Sequence, residues 1–147
     1  MSAAEPHPAD ETAWRAWAAM CDLVLDNARR REVSEALGIS FGRIRALRRI
    51  ARAPMTMREF AACLDIDAPY ATVVIDELER QGLVERRPHP TDRRAKLVTA
   101  TSRGAAAAAR ADRILGRPPA GMAALPAATV AELARILDQI EAAPGDR

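Results

Sequence analysis

Between Met55 and Thr101 the spacing of apolar residues changes from helical to alternating. Met57, Phe60, Ala61 and Leu64 fall three and four apart, and Thr56 with Glu59 ahead of them makes a capping-box pattern, so a short helix is predicted. Leu64-Asp65-Ile66 reads as a tight turn. Asp67 suits the N-cap of a second helix, with Pro69 close to its first position and a stripe at Ala71, Val74, Ile75 and Leu78. Gly82 stops that helix as a left-handed residue, and Leu83 is placed to fold back on the last turn. Residues 83–87 and 96–101 are then β-branched or alternating, as strands are. They are joined by Pro88-His89-Pro90-Thr91-Asp92-Arg93-Arg94-Ala95, a loop of turn formers. Helix, turn, helix and hairpin in this order predict a winged helix-turn-helix.

On the N-terminal side, Trp14, Trp17, Ala18, Cys21, Val24, Leu25 and Ala28 recur at helical spacing, predicting one amphipathic helix over 12–37 that Gly38 ends. Residues 1–11 read as a disordered tail. Ser40 is expected to cap a helix whose stripe is Phe41, Ile44, Leu47 and Ile50/Ala51, closed by Pro54. After the hairpin, Thr101/Ser102 cap a helix that opens with Gly104 and a run of alanines. Arg117-Pro118-Pro119 breaks it, 120–125 reads as a linker, and Pro126 starts a last helix with Val130, Leu133, Ile136/Leu137 and Ile140 on one side; the tail from Pro144 is loose. The expected class is mainly α with a small β-hairpin wing (α+β). A winged domain over 39–101 is flanked by dimerisation helices at 12–37 and 102–143. The outer stripes exceed what a winged module of this size buries, and a second copy would cover the excess.

Composition narrows the function. The 147 residues carry a net charge of only +2, yet residues 80–96 hold Arg80, Arg86, Arg87, Arg93, Arg94 and Lys96 against Glu85 and Asp92 alone. A nearly neutral chain with its positive charge gathered on a hairpin is built to meet a polyanion with one face. Aromatics make up 3% of the residues, so the core is aliphatic and alanine-rich. No apolar run approaches a membrane span, the proline-bearing acidic N-terminus is unlike a secretory signal, and two cysteines fit a reduced cytoplasm. No nucleophile–base pairing, phosphate-binding glycine loop or metal set is visible, which speaks against an enzyme and against a cofactor. His7 and His89 with two distant cysteines do not make a metal site.

The stretch LERQGLVERRPHPTDRRAKLVTATSRG resembles the strand–wing–strand signature of the MarR family (multiple antibiotic resistance) of bacterial transcriptional regulators. The likeness runs from about Ile39 to Ala108: a helix end, Gly-Leu-Val, an Asp-x-Arg wing tip and a following helix start. The resemblance implies a homodimer that lays a recognition helix in the major groove and a wing over the adjacent minor groove of a palindromic operator. It also implies a repressor that lets go when a small ligand or an oxidant changes the dimer geometry. The recognition surface would be Ala68, Pro69, Tyr70, Thr72 and Val73, with Val73 standing where an arginine often sits in the family.

Within that frame Tyr70 and Thr72 are the expected base readers, Ala68 can meet a thymine methyl, and Asp67 is the cap. Asp92 is expected to hold the Arg94 guanidinium for a narrow minor groove, or to form the turn, or both. Arg86, Arg87, Arg93 and Lys96 are expected at phosphates. An organic ligand would sit in a cleft reached by Trp14, Trp17, Met20, Phe41 and Arg45, although each also reads as core or interface. Two alternatives stay open: a redox-sensing regulator acting through Cys21, and a winged-helix protein-interaction module that does not bind DNA.

Overall fold

The computed structural model describes residues 8–24 and 27–143. The first seven residues, Leu25 of the first stripe and the four-residue tail lie outside the described residues. In chain order the elements are α1 (Pro8–Val24), α2 (Asn27–Leu37), α3 (Phe41–Arg52), β1 (Met55–Thr56), α4 (Met57–Leu64), α5 (Ala68–Arg80), β2 (Val84–Pro88), β3 (Lys96–Ala100), α6 (Ser102–Leu115), α7 (Ala120–Ala123) and α8 (Ala127–Ala142). α1 starts at Pro8, inside the stretch expected to be disordered; a proline's fixed φ suits a first helical position, and Glu11 suits a first turn. The helix expected over 12–37 is described as α1 and α2, on either side of residues 25–26.

The chain divides into two compact units between Gly116 and Arg117. In the first, Val33, Ile44, Leu47, Ile50, Phe60, Ile75, Leu78, Val84 and Val98 are fully buried in one cluster. Each such side chain contributes about 1.5–3 kcal/mol. Partly exposed ion pairs between the same elements, such as Arg48–Asp112, add at most about 1 kcal/mol, so burial decides the packing. Val33 of α2 and Ala108 and Ala111 of α6 belong to this cluster. The two helices read as dimerisation elements therefore also pack on the winged domain of their own chain.

Three local devices set the path around α4 and α5. The capping box at α4 is complete, with the Thr56 hydroxyl accepting from the Glu59 N–H and the Glu59 carboxylate accepting from the Thr56 N–H at 2.7 Å. α4 ends at Asp65 in the left-handed region (φ 53°), and the turn to α5 follows at once. α5 ends at Gly82 (φ 68°), where the Leu83 N–H reaches the Leu78 carbonyl and the Gly82 N–H reaches that of Glu79, both at 2.9 Å. Ser40 does precede α3, but its hydroxyl accepts from the Arg43 guanidinium at 3.0 Å instead of from a helix amide.

The sheet has three strands in the order β1-β3-β2, all antiparallel, one more than the expected hairpin. β1 is only Met55 and Thr56, paired with Val98 and Leu97. Two residues are too few to show an alternating period, which is why the pattern did not reveal it. α6 begins hard against the helix–strand turn. A Cβ on Gly104 would lie 1.8 Å from the Leu83 carbonyl oxygen, and the Thr101 hydroxyl donates to the Gly82 carbonyl at 2.7 Å while accepting from the Gly104 N–H.

The second unit holds α7 and α8. α7 stands where a linker was expected, each of the two helices being preceded by a proline at its N-cap. Met122, Leu125, Val130 and Ala134 line an apolar groove of about 480 Å³ between them. Ile136, Leu137 and Ile140 of α8 are exposed.

Candidate nucleic-acid interface

α5 buries Ala71, Val74, Ile75 and Leu78 and turns the rest of its surface outward. Asp67 is spent on the cap, accepting from the Tyr70 N–H at 2.7 Å. Ala68, Pro69 and Thr72 are exposed beside Tyr70 and Val73, which are 50% and 52% exposed, so the five residues expected to read DNA share one open surface at the helix start. The Thr72 hydroxyl donates to the Ala68 carbonyl at 3.0 Å, so its oxygen is left as an acceptor on an exposed residue. The second half of the helix carries Asp76, Glu77 and Glu79, a poor surface to bring near phosphate. Each has an arginine against it: Glu77 pairs with Arg43 of α3, and Asp76 and Glu79 both pair with Arg86 of β2.

Arg86 thus departs from the expected phosphate contact. Strand alternation puts it on the same face as buried Val84, toward α5, and its two guanidinium arms rest on Glu79 and, at 2.6 Å, on Asp76. Burial works against its charge, but the hydrogen bonds and charges of the two carboxylates prevail and raise its pKa above the ordinary value. Arg87, on the opposite face, pairs with Glu85 at 2.5 Å and stays largely exposed. The expected link between the Asp92 and Arg94 side chains is not made. The Asp92 carboxylate accepts instead from the Arg94 backbone N–H at 2.9 Å, because a side chain this short reaches an amide two residues on more readily than a distant guanidinium. His89 completes the tip: its ring Nδ1 accepts from the amides of Thr91 (3.2 Å) and Asp92 (3.1 Å), and its backbone N–H donates to the Ala95 carbonyl at 3.1 Å. Arg93, Arg94 and Lys96 are exposed and carry no ion pair among the described residues.

Comparison with known proteins agrees with this geometry. The sequence profile of the MarR family matches residues 37–95, which span α3 to the wing. The HTH-type transcriptional regulator BilQ of Clostridium symbiosum is 35% identical over 68 residues, 46% of this chain and 47% of that protein, so the chain spans about half the length of this curated relative. Wild-type apo MarR from E. coli superposes with a TM-score of 0.65 at 28% identity over 84% of this chain and 95% of that one. A mutant of the same protein complexed with operator DNA gives 0.55 at 27%, over 84% and 91%. Over residues 37–95 and in its fold the chain is similar to the MarR family. RV1404 from Mycobacterium tuberculosis shares the fold over 99% of this chain (100% of its own), with a TM-score of 0.78 at 21% identity. MarR-family proteins are transcription regulators, not enzymes.

The remaining expected residues are not gathered around one cavity. Trp14 and Trp17 of α1 stand 70% and 61% exposed, and Met20 and Cys21 beside them are half-buried. Phe41 takes the Arg30 guanidinium over its ring at 5.1 Å, while Arg45 lines a separate depression of about 200 Å³ with Leu64, Ile66, Tyr70 and Val74. Cys63 is exposed on α4. Among the described residues no three of His, Cys, Asp and Glu stand close enough to hold a metal ion, and no helix is long and apolar enough to cross a membrane. Sequence reasoning missed the Arg86 clasp and the part played by His89. The clasp had a signal: acids at i and i+3 on the polar face of α5, then an arginine two residues past the first apolar strand position.

Proposed function

We propose that this chain binds duplex DNA as a homodimer and represses transcription from a palindromic operator in the cytoplasm until a small organic ligand releases it. The observation that carries the reading is the pairing of two surfaces. The open start of α5, residues 68–73, is joined through the turn at Gly82 to a hairpin whose tip presents Arg93 and Arg94 with no ion pair among the described residues. Such a helix start offers base-edge contacts in a major groove, and arginines at a hairpin tip suit the electronegative minor groove beside it. The operator complex of the related E. coli protein supports the same assignment. Support for the dimer comes from the uncovered apolar residues of α1 and α8, among them Trp14, Trp17, Ile136 and Ile140. Trp14 and Trp17 would then be shared between the interface and a ligand cleft completed by the second copy.

Selection of a random-sequence duplex library with the purified protein tests this. The expected result is enrichment of an inverted repeat with half-sites about 10 base pairs apart, bound with an affinity that falls linearly in log–log coordinates as salt rises. Binding to no duplex, or binding indifferent to salt, overturns it.

A further inference from the structure

The geometry points to Arg86 as a positioning residue that fixes the wing to the recognition helix, so that the two present to DNA as one rigid reading head. This rests on the DNA-binding reading above. Glu79 receives both the backbone N–H of Arg86 (3.2 Å) and one arm of its guanidinium, and Asp76, one helical turn earlier, receives the other arm at 2.6 Å. A planar guanidinium holds two carboxylates in fixed directions, so the contact sets an angle between β2 and α5 as well as a distance. The Arg86 side chain is only 21% exposed, so neither arm is presented outward to a phosphate. Two acids around one cation leave the cluster with a net negative charge, the wrong sign for a phosphate site. The same clasp offsets part of the negative charge of Asp76 and Glu79, which stay exposed on the helix. Its object is Arg94, eight residues along on the tip, whose entry into a minor groove depends on where the hairpin points.

The test uses the full chain and the duplex that the wild type selects. Positioning predicts that Arg86→Gln weakens binding about ten-fold and that the combined Arg86→Gln/Arg94→Ala variant binds little worse than Arg86→Gln, because a misdirected tip gains nothing from its arginine. Measured against Arg94→Ala, adding Arg86→Gln leaves the slope of log affinity against log salt unchanged, whereas loss of a phosphate contact made by Arg86 itself lowers it by about a further 0.9. Arg86→Lys, which keeps the charge and loses the fork, falls with Arg86→Gln. Asp76→Asn/Glu79→Gln decides between the two roles by sign: positioning predicts weaker binding although two negative charges are gone, and a phosphate contact predicts stronger binding. A double-variant salt slope below that of Arg94→Ala, full additivity with Arg94→Ala, or unchanged or stronger binding by the carboxylate variant overturns the inference. In the free protein, Arg86→Gln is expected to speed amide hydrogen exchange at the hairpin while the exchange of α3 is unaltered. Unaltered exchange throughout also overturns it, independently of DNA. If the wild type selects no duplex, the functional reading fails instead.

Discussion

Asp92 and Arg94 lie two residues apart on the hairpin tip, and their roles separate because one side chain is short and the other long. Asp92 closes the turn from within by holding the Arg94 amide, and the Arg94 guanidinium is left free to reach outward. Arg94→Ala is therefore expected to weaken binding to the selected duplex by about 1–3 kcal/mol, measured by anisotropy titration at fixed salt; unchanged affinity would remove the tip from the account. Gly104 makes the opposite kind of demand, since it tolerates no side chain at all. With the Leu83 carbonyl oxygen only 1.8 Å from where a Cβ would stand, Gly104→Ala must push α6 off the helix–strand turn. The expected cost is about 1–3 kcal/mol or more in urea unfolding, and a variant as stable as the wild type would show that α6 can shift freely. The sequence marked Gly104 only as part of an alanine-rich helix start. Its requirement comes from a backbone in contact through space, which no local spacing encodes.

Helices α4 and α5 and strands β2 and β3 were legible because each is bounded by a residue that acts on its immediate neighbours. Thr56 and Glu59 cap one helix, Asp67 caps the next, and Gly82 reverses the chain into the wing. β1 and α7 were not, since two and four residues cannot display a period and their partners are supplied by packing. Ser40 was misjudged for a similar reason, an arginine three residues on outcompeting the helix amides for its hydroxyl. The capping box itself can be measured. Thr56→Ala is expected to destabilise the fold by about 1 kcal/mol. The Glu59 carboxyl is held below its ordinary pKa, first by the Thr56 amide, then by the Thr56 hydroxyl, against the effect of burial, with a smaller contribution from His89. A group whose folded pKa is lowered stabilises the fold above its unfolded value and loses that contribution as pH falls through the lowered one. The melting-temperature gap between wild type and Glu59→Ala should accordingly be widest near neutral pH and close as the solution becomes acid. A gap that widens on acidification contradicts the assignment.

For the molecule as a whole, the first unit encloses its core, while α8 in the second leaves Ile136, Leu137 and Ile140 in water. A second copy covering that face makes Ile136→Asp/Ile140→Asp raise the dimer dissociation constant about a hundred-fold or more, as light scattering across a dilution series would show; a wild type that is already monomeric at micromolar concentration refutes the dimer. α2 and α6 show why the division of labour along the chain was harder to read than its elements: an apolar stripe has the same spacing whether it packs on its own chain or on a second one, and Val33, Ala108 and Ala111 pack on their own. The middle position of β3 has an outcome of its own. With one edge of that strand sealed by β1 and the other by β2, the loop 89–95 is a fingertip on an already braced finger. Transplanting loops of other sequence between Pro88 and Lys96 should then redirect which operators are chosen while leaving the melting temperature where it was, making this segment the natural place to evolve or engineer a new target.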